Sequence, residues 1–361
     1  MVVQGRATAL SDIDEQWLTA ALEQAGATDG ARVVAKSATP IGTGQVGENV
    51  RFDLVWSRSG PHPMSVVGKF PSTSEVSLAA AAATETYIRE VGFYRDLQDR
   101  VSVPCPRVYR LEEDLDANQF VLLMEDIAPA RVGDQLAGCS VDDARLALEA
   151  IAPLHADTWG RVAEFAQLGW VGVPSPEGLR QRVELVEALW PGFEERYRTR
   201  LDPADLEQGR WLRDHVLDVG IGLGQCTGCL THNYFRLDNL LFGEGPGTRP
   251  VTVVDWQTIR PGMGVVDVAY FLGAGLLPDL RREHEEGLLA HYAGCLRAAG
   301  VVVSDDELGV GYRLGSTSGY LMAIVASQLV QQTERGDEMF LAMASRHADQ
   351  MRAMDVASQV G

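Results

Sequence analysis

Two oxygen-bearing side chains, Asn239 and Asp255, are of a type that can hold a hard cation. An amide oxygen and a carboxylate are the ligands Mg²⁺ prefers, with bound phosphates able to supply the remaining contacts. Asn239 closes the run Thr231-His232-Asn233-Tyr234-Phe235-Arg236-Leu237-Asp238-Asn239, and Asp255 follows the apolar pair Val253-Val254. The run that Asn239 closes also carries an imidazole (His232), a phenol (Tyr234), a guanidinium (Arg236) and a second carboxylate (Asp238). The phenol has a reference pKa of about 10 and at neutral pH is mainly a hydrogen-bond donor.

Two further features could meet phosphates. Ile41-Gly42-Thr43-Gly44-Gln45-Val46-Gly47-Glu48-Asn49-Val50 joins two β-type runs, and glycines let a backbone bring its N–H groups close to an anion. By itself such a segment reads as a hairpin turn. Lys69 is the one cation of the apolar run Ser65–Phe70, and alone it would read as a solvated edge residue.

Stepping outward, 361 residues and 39.2 kDa suit two domains, and 46% apolar residues can fill a sizeable core. The net charge of −19 argues against nucleic acid or an anionic membrane as partner. Five cysteines, an odd number spread through a long chain, point to reduced thiols. The lone Cys226-Thr227-Gly228-Cys229 lacks a second pair at zinc spacing and reads as structural. The amino-terminal residues have no apolar stretch of signal-peptide length, and Val265–Leu277 is too short and too interrupted to span a bilayer, so a cytoplasmic protein is expected.

The elements predicted to position these residues come in a definite order. An amphipathic helix begins at Ser11 as N-cap and ends by Gly26. Strands follow over 32–35, 50–56 and 65–70, then a helix over 75–98, then strands over 107–111 and 120–124. Helical patterns over 141–156, 176–197 and 202–217 precede the loop-and-strand segment 229–254, and further helices run to the end.

Together these residues resemble the aminoglycoside phosphotransferase and choline-kinase-like superfamily, closest to its ecdysteroid-kinase-like branch. That family writes its catalytic segment His-Gly-Asp-x-Arg-x-Asp-Asn-Leu, which this chain matches from His232 to Leu240 except at two places. Asn233 stands for the glycine, and Tyr234 stands where the family has its catalytic base. Six ordered motifs carry the likeness over residues 35–275. It implies an α+β, two-lobed protein-kinase-like fold, with a small β-rich N-lobe (1–126) and a large helical C-lobe (127–361).

The resemblance also implies roles. Gly44 and Gly47 would lie in the phosphate loop, and Lys69 would clamp the α- and β-phosphates. Glu90, in Arg89-Glu90-Val91-Gly92-Phe93-Tyr94, would hold Lys69, with Glu85 as the fallback. Backbone groups around Met124, Glu125 and Asp126 would meet adenine. Asn239 and Asp255 would bind Mg²⁺, and ATP or another NTP would be the donor. His155 in Leu154-His155-Ala156 would be structural, and Asp267 would brace the catalytic loop. Asp238 belongs, in this pattern, to a residue directed away from the acceptor. The substrate would be a small hydroxylated molecule bound by helices near 175–220 and 305–350, with Trp170, Trp190, Trp256 and Tyr320 read as core.

Loss of a general base typically costs about 10²–10⁴ in rate. Three functions therefore stay open: a slow or rearranged O-phosphotransferase, a nucleotide-binding pseudokinase, and a kinase-fold enzyme redirected to another reaction through Tyr234. The intact Lys69, Glu90, Asn239 and Asp255 favour an enzyme over a scaffold.

Overall fold

A computed structural model describes residues 7, 9–42 and 47–360. The chain divides into two compact units, residues 1–98 with 105–128, and residues 99–104 with 129–361.

The first unit is built on one antiparallel sheet. Its strands β1 (Val33–Ile41), β2 (Gly47–Trp56), β3 (Ser65–Pro71), β4 (Val108–Asp114) and β5 (Gln119–Glu125) lie in the order β1-β2-β3-β5-β4. Helix α1 (Glu15–Gln24) puts Trp17, Leu18, Ala21 and Leu22 on one sheet face, against Val50, Phe52, Leu54, Val121 and Leu123. Its cap is Asp14, whose carboxylate accepts from Trp17 N–H at 2.7 Å. Ser11, the expected cap, instead lies in a 3₁₀ turn over Leu10–Asp12. Two candidates were within reach of the first turn, and only the one three residues before Trp17 has the N-cap geometry.

The single helix expected over 75–98 is broken. It becomes α2 (Glu75–Ala83), α3 (Thr86–Gly92) and a π-helical turn over Phe93–Leu97. The break falls at Glu85, which adopts φ +55°. On α3, Tyr87 packs edge-on to Phe120 of β5 at 5.0 Å between centroids. With α1 on one face and α3 on the other, β5 is apolar throughout Phe120–Met124.

The second unit is helical around two small sheets. One pairs β6 (Ala130–Val132), β8 (Leu240–Gly243) and β9 (Val251–Val253) in the order β6-β8-β9. The other pairs β7 (Cys229–Thr231) with β10 (Arg260–Gly262). Helix α4 (Val141–Thr158), capped by Ser140, backs both and is followed by the short α5 (Val162–Ala166). Helices α6 (Pro176–Tyr197) and α7 (Pro203–Gly224) each begin with proline just after a capping Ser175 or Asp202. α7 runs about two turns beyond the expected end, with a kink at His215 (φ −120°). Then come α8 (Val265–Gly275), α9 (Pro278–Ala298), α10 (Asp305–Gly315), α11 (Ser318–Leu329) and α12 (Glu334–Ala353).

The core of this unit gathers α6, α7, α8, α11 and α12 around Trp190, Phe193, Tyr270, Tyr320, Phe340 and Met343. Trp170, Trp190, Trp256 and Tyr320 are all buried, as the core reading expected. Among the described residues no helix is long and apolar enough to cross a membrane.

Candidate active site

In the first unit, strand pairing places Lys69 between Asn49 of β2 and Leu122 of β5, the interior of the sheet. Its Nζ stands 2.8 Å from Glu90 Oε1, and the two side chains are 12% and 2% exposed. Glu85, the alternative partner, is turned outward and pairs with Arg89. Gly47 adjoins this pair: a Cβ there would sit 3.0 Å from Phe70 O and 3.8 Å from Lys69 Cε. A side chain at 47 would press on the Phe70 carbonyl and lie in ordinary contact with the lysine stem. Gly44 lies outside the described residues.

At the end of β5, Met124 is buried and Glu125 half-buried. Asp126 turns its carboxylate back to the sheet, accepting from Ser65 Oγ at 2.6 Å and from Arg51 Nη2 at 2.9 Å. That side chain is thereby occupied, which leaves the segment's backbone as its contribution to any ligand.

The second unit holds the other candidates on the loop between β7 and β8. Three donors converge on Asp267 at the start of α8. Its Oδ2 accepts from His232 N–H (2.7 Å) and from His155 Nε2 (3.1 Å), and its Oδ1 accepts from Asn233 N–H (2.8 Å). His155 is fully buried, with Nδ1 2.8 Å from Tyr292 Oη, so its part is structural. Asn233 has φ +64°, a conformation asparagine tolerates better than most residues and one glycine adopts freely.

His232 itself is buried against Trp256 at 4.7 Å between centroids. Its Nδ1 accepts from Tyr234 N–H (3.3 Å), so Nε2 carries the proton and donates to Val254 O (3.0 Å). Burial lowers its pKa, which agrees with this neutral tautomer. The imidazole is thus a fixed spacer between the loop and the segment leading to Asp255.

Asn239 ends a 3₁₀ turn and is buried. Its Nδ2 donates to Tyr234 O at 2.8 Å, which leaves Oδ1 as the acceptor of that amide. Val254 N–H donates to Asn239 O at 3.0 Å, bringing Asp255 to the same end of the β8–β9 hairpin. Asp255 has φ +69°, and its Oδ2 accepts from Gln257 Nε2 at 3.1 Å. The pair offers oxygen ligands only, which fits a hard divalent cation.

Tyr234 is half-buried and packs against the helical core. The Arg236 guanidinium lies 4.3 Å from its ring centroid, and Tyr270 is 6.4 Å away, ring to ring. Burial raises the Tyr234 pKa; Arg236 opposes this, while Asp255 and Asp238 add to it. The phenol is therefore neutral over the ordinary pH range and cannot serve as proton acceptor. Asp238 accepts from Gln135 N–H (3.1 Å) and faces Arg236 at 3.5 Å and Arg335 at 3.8 Å.

The sequence comparison decides the family: residues 45–299 match the phosphotransferase enzyme family (APH). The chain belongs to that family. No curated protein matches it in sequence. Among solved structures it is similar to an aminoglycoside-phosphotransferase-like protein from Ralstonia eutropha JMP134, with 18% identity, TM-score 0.55, and 96% and 99% of the two chains covered. It is also similar to Plasmodium vivax ethanolamine kinase, with 12% identity, TM-score 0.53, and 91% and 85% covered. The GDP and kanamycin complex of APH(2″)-IIIa is a third, with 16% identity, TM-score 0.51, and 94% and 99% covered. At these identities the likeness is one of fold, and that fold is the α+β kinase-like one expected from sequence.

Several residues that support this loop were not singled out in sequence. Gln257 holds Asp255, and its place two residues downstream was the available signal. Thr258 Oγ1 donates to His232 O at 2.9 Å. Gln135 Oε1 accepts from Leu237 N–H at 2.9 Å across a separation of 102 residues, and no local pattern announces such a contact. The CxxC thiols are free, and Cys229 is fully buried with its pKa raised by that burial.

Proposed function

We propose that the chain is a nucleotide-dependent phosphotransferase of small hydroxylated molecules, akin to the ecdysteroid-kinase-like branch, in which the general base has given way to Tyr234. Transfer to an ordinary acceptor is then slow, or the site is redirected to another reaction. The observation that carries this reading is the Lys69–Glu90 pair at 2.8 Å. A buried ion pair adds little to stability, because desolvation offsets its attraction. Its retention in the interior of a sheet is best explained by a need to hold the ammonium for phosphate.

In this reading Lys69 receives the α- and β-phosphates, with Gly47 leaving its stem unobstructed. ATP or GTP is the donor, the latter suggested by the GDP bound to the kanamycin relative. Asn239 and Asp255 would hold Mg²⁺, which when bound neutralises the charge of the phosphates. Gln257 keeps the Asp255 carboxylate oriented, and Asp267 and His232 fix the loop that carries Asn239. Tyr234 accepts no proton, so a loose transition state that scarcely needs a base is the route left to direct transfer.

Calorimetric titration with ATP and GTP, with and without Mg²⁺, tests the reading. Wild-type protein should bind one of them in a Mg²⁺-dependent way, and Asp255→Ala should abolish that dependence. Unchanged affinity in Asp255→Ala would remove the metal assignment, and no binding of either nucleotide would end the proposal. The second reading, a redirected reaction, draws on the close fit of Tyr234 between Arg236 and Tyr270; there Tyr234→Phe would destroy activity and spare nucleotide binding.

A further inference from the structure

Beside Tyr234 the helical unit buries two hydrogen-bond donors that have no acceptor. Arg236 is 13% exposed on its side chain, yet its Nε has no hydrogen-bond partner. Its other contacts are weak acceptors or shared ones. Nη1 touches the Met339 thioether and pairs loosely with Asp238 at 3.5 Å, while the guanidinium face meets the Tyr234 ring. Asp238 is itself shared with Gln135 N–H and Arg335. Tyr270, on α8, is 2% exposed and its hydroxyl also lacks a partner. Both donors adjoin one ring, that of Tyr234, and lie within electrostatic reach of each other.

A buried guanidinium is stable only when an anion satisfies it, and its planar fork suits carboxylate and phosphate oxygens. A carboxylate at position 234 would stand against Arg236 as its counter-charge. Tyrosine there supplies a ring face, which attracts the cation but leaves Nε without an acceptor. Leaving a buried donor unmade is costly, so the deficit marks where a ligand oxygen belongs.

The geometry points to an oxyanion subsite formed by Arg236 and Tyr270 beside Tyr234, so that the small molecule this site takes carries a carboxylate or phosphate group. This reverses the preference for cations that the net charge of −19 alone would suggest. In so acidic a chain, anion binding reports a local site, because the overall field opposes it. The inference rests on the phosphotransferase reading only in calling that molecule the acceptor. Binding to the subsite requires neither nucleotide nor metal.

Thermal shift and calorimetry with four probes, in the absence of nucleotide and Mg²⁺, test it. Gluconate and glycerol 1-phosphate carry the oxyanion; sorbitol and glycerol are their neutral matches. One or both anions should raise the melting temperature, with neither neutral probe doing so, and the stronger anion tells carboxylate from phosphate. Arg236→Met should weaken the anion at least about tenfold, and Arg236→Lys less. Tyr270→Phe should weaken it about three- to tenfold while leaving the free protein as stable or more so, since the lost hydroxyl had no partner. Equal response to anions and neutral probes, no response to any, or anion binding unmoved in Tyr270→Phe and Arg236→Lys would overturn the subsite. Should Arg236→Met fail to fold, the other two variants decide. Failure here with Mg²⁺-dependent nucleotide binding intact removes the subsite alone. Loss of nucleotide binding in the wild type removes the phosphotransferase reading and leaves these four titrations to be judged by themselves.

Discussion

Asn239 donates its side-chain amide to the backbone carbonyl of Tyr234 at 2.8 Å, which ties the candidate metal ligand to the residue proposed to stand in place of the base. The bond uses the main chain of residue 234 and not its side chain. A change at position 234 can therefore alter the chemistry without releasing Asn239.

That separation makes the Tyr234→Asp variant informative. It should transfer phosphate to a hydroxylated acceptor at least about 10²-fold faster than wild type, the usual value of a general base. Metal and nucleotide affinities should be unchanged, because the carbonyl of residue 234 remains. Steady-state rates across a panel of hydroxylated metabolites would measure this. Wild-type turnover at ordinary kinase rates of about 1–100 s⁻¹ would show that Tyr234 does not disable the site.

The Lys69–Glu90 pair predicts a stability pattern of its own. Lys69→Ala removes the ammonium 2.8 Å from the Glu90 carboxylate, whose side chain is 2% exposed, and should cost about 3 kcal/mol in denaturant unfolding. Adding Glu90→Gln should recover much of that loss while nucleotide affinity stays low. A double variant no more stable than Lys69→Ala would mean that the pair is not coupled.

His347 gives a pH signature. The ring is fully buried, Nδ1 lies 2.8 Å from Ser316 O, and burial brings its pKa down from 6.5 to about 4. The unfolded chain takes up this proton as pH falls below about 6.5, whereas the folded chain waits until about 4. Stability present above pH 6.5 should thus be lost as pH falls toward 4, by about 3 kcal/mol at about 1.4 kcal/mol per tenfold change. His232, also lowered by burial, acts in the same sense. Urea midpoints for wild type and His347→Gln, compared at pH 7 and pH 5, should diverge in slope, with the variant the flatter. Parallel curves would show that this histidine is charged in the folded protein or exposed.

The sequence by itself determined the order of elements and the identity of the chemical groups. Lys69 at the end of an apolar run, Glu90 on the next helix, and the spacing from His232 to Asn239 are local patterns, fixed by strand alternation and helix periodicity. Their resemblance to the family's motifs is what assigned the fold and chose Glu90 over Glu85. Boundaries were less legible where competing caps or a left-handed residue intervened, as at Asp14 and Glu85. What only tertiary structure decided were contacts made at long range. Asp267 gathers His155, His232 and Asn233 from segments far apart in the chain, and Gln135 reaches Leu237 across 102 residues. The surroundings of Tyr234 belong to this class too. That its ring would be half-buried beside Arg236 and Tyr270, with donors left unmatched around it, follows from how α8 and α12 pack onto the loop, and packing between distant segments leaves no period in the sequence.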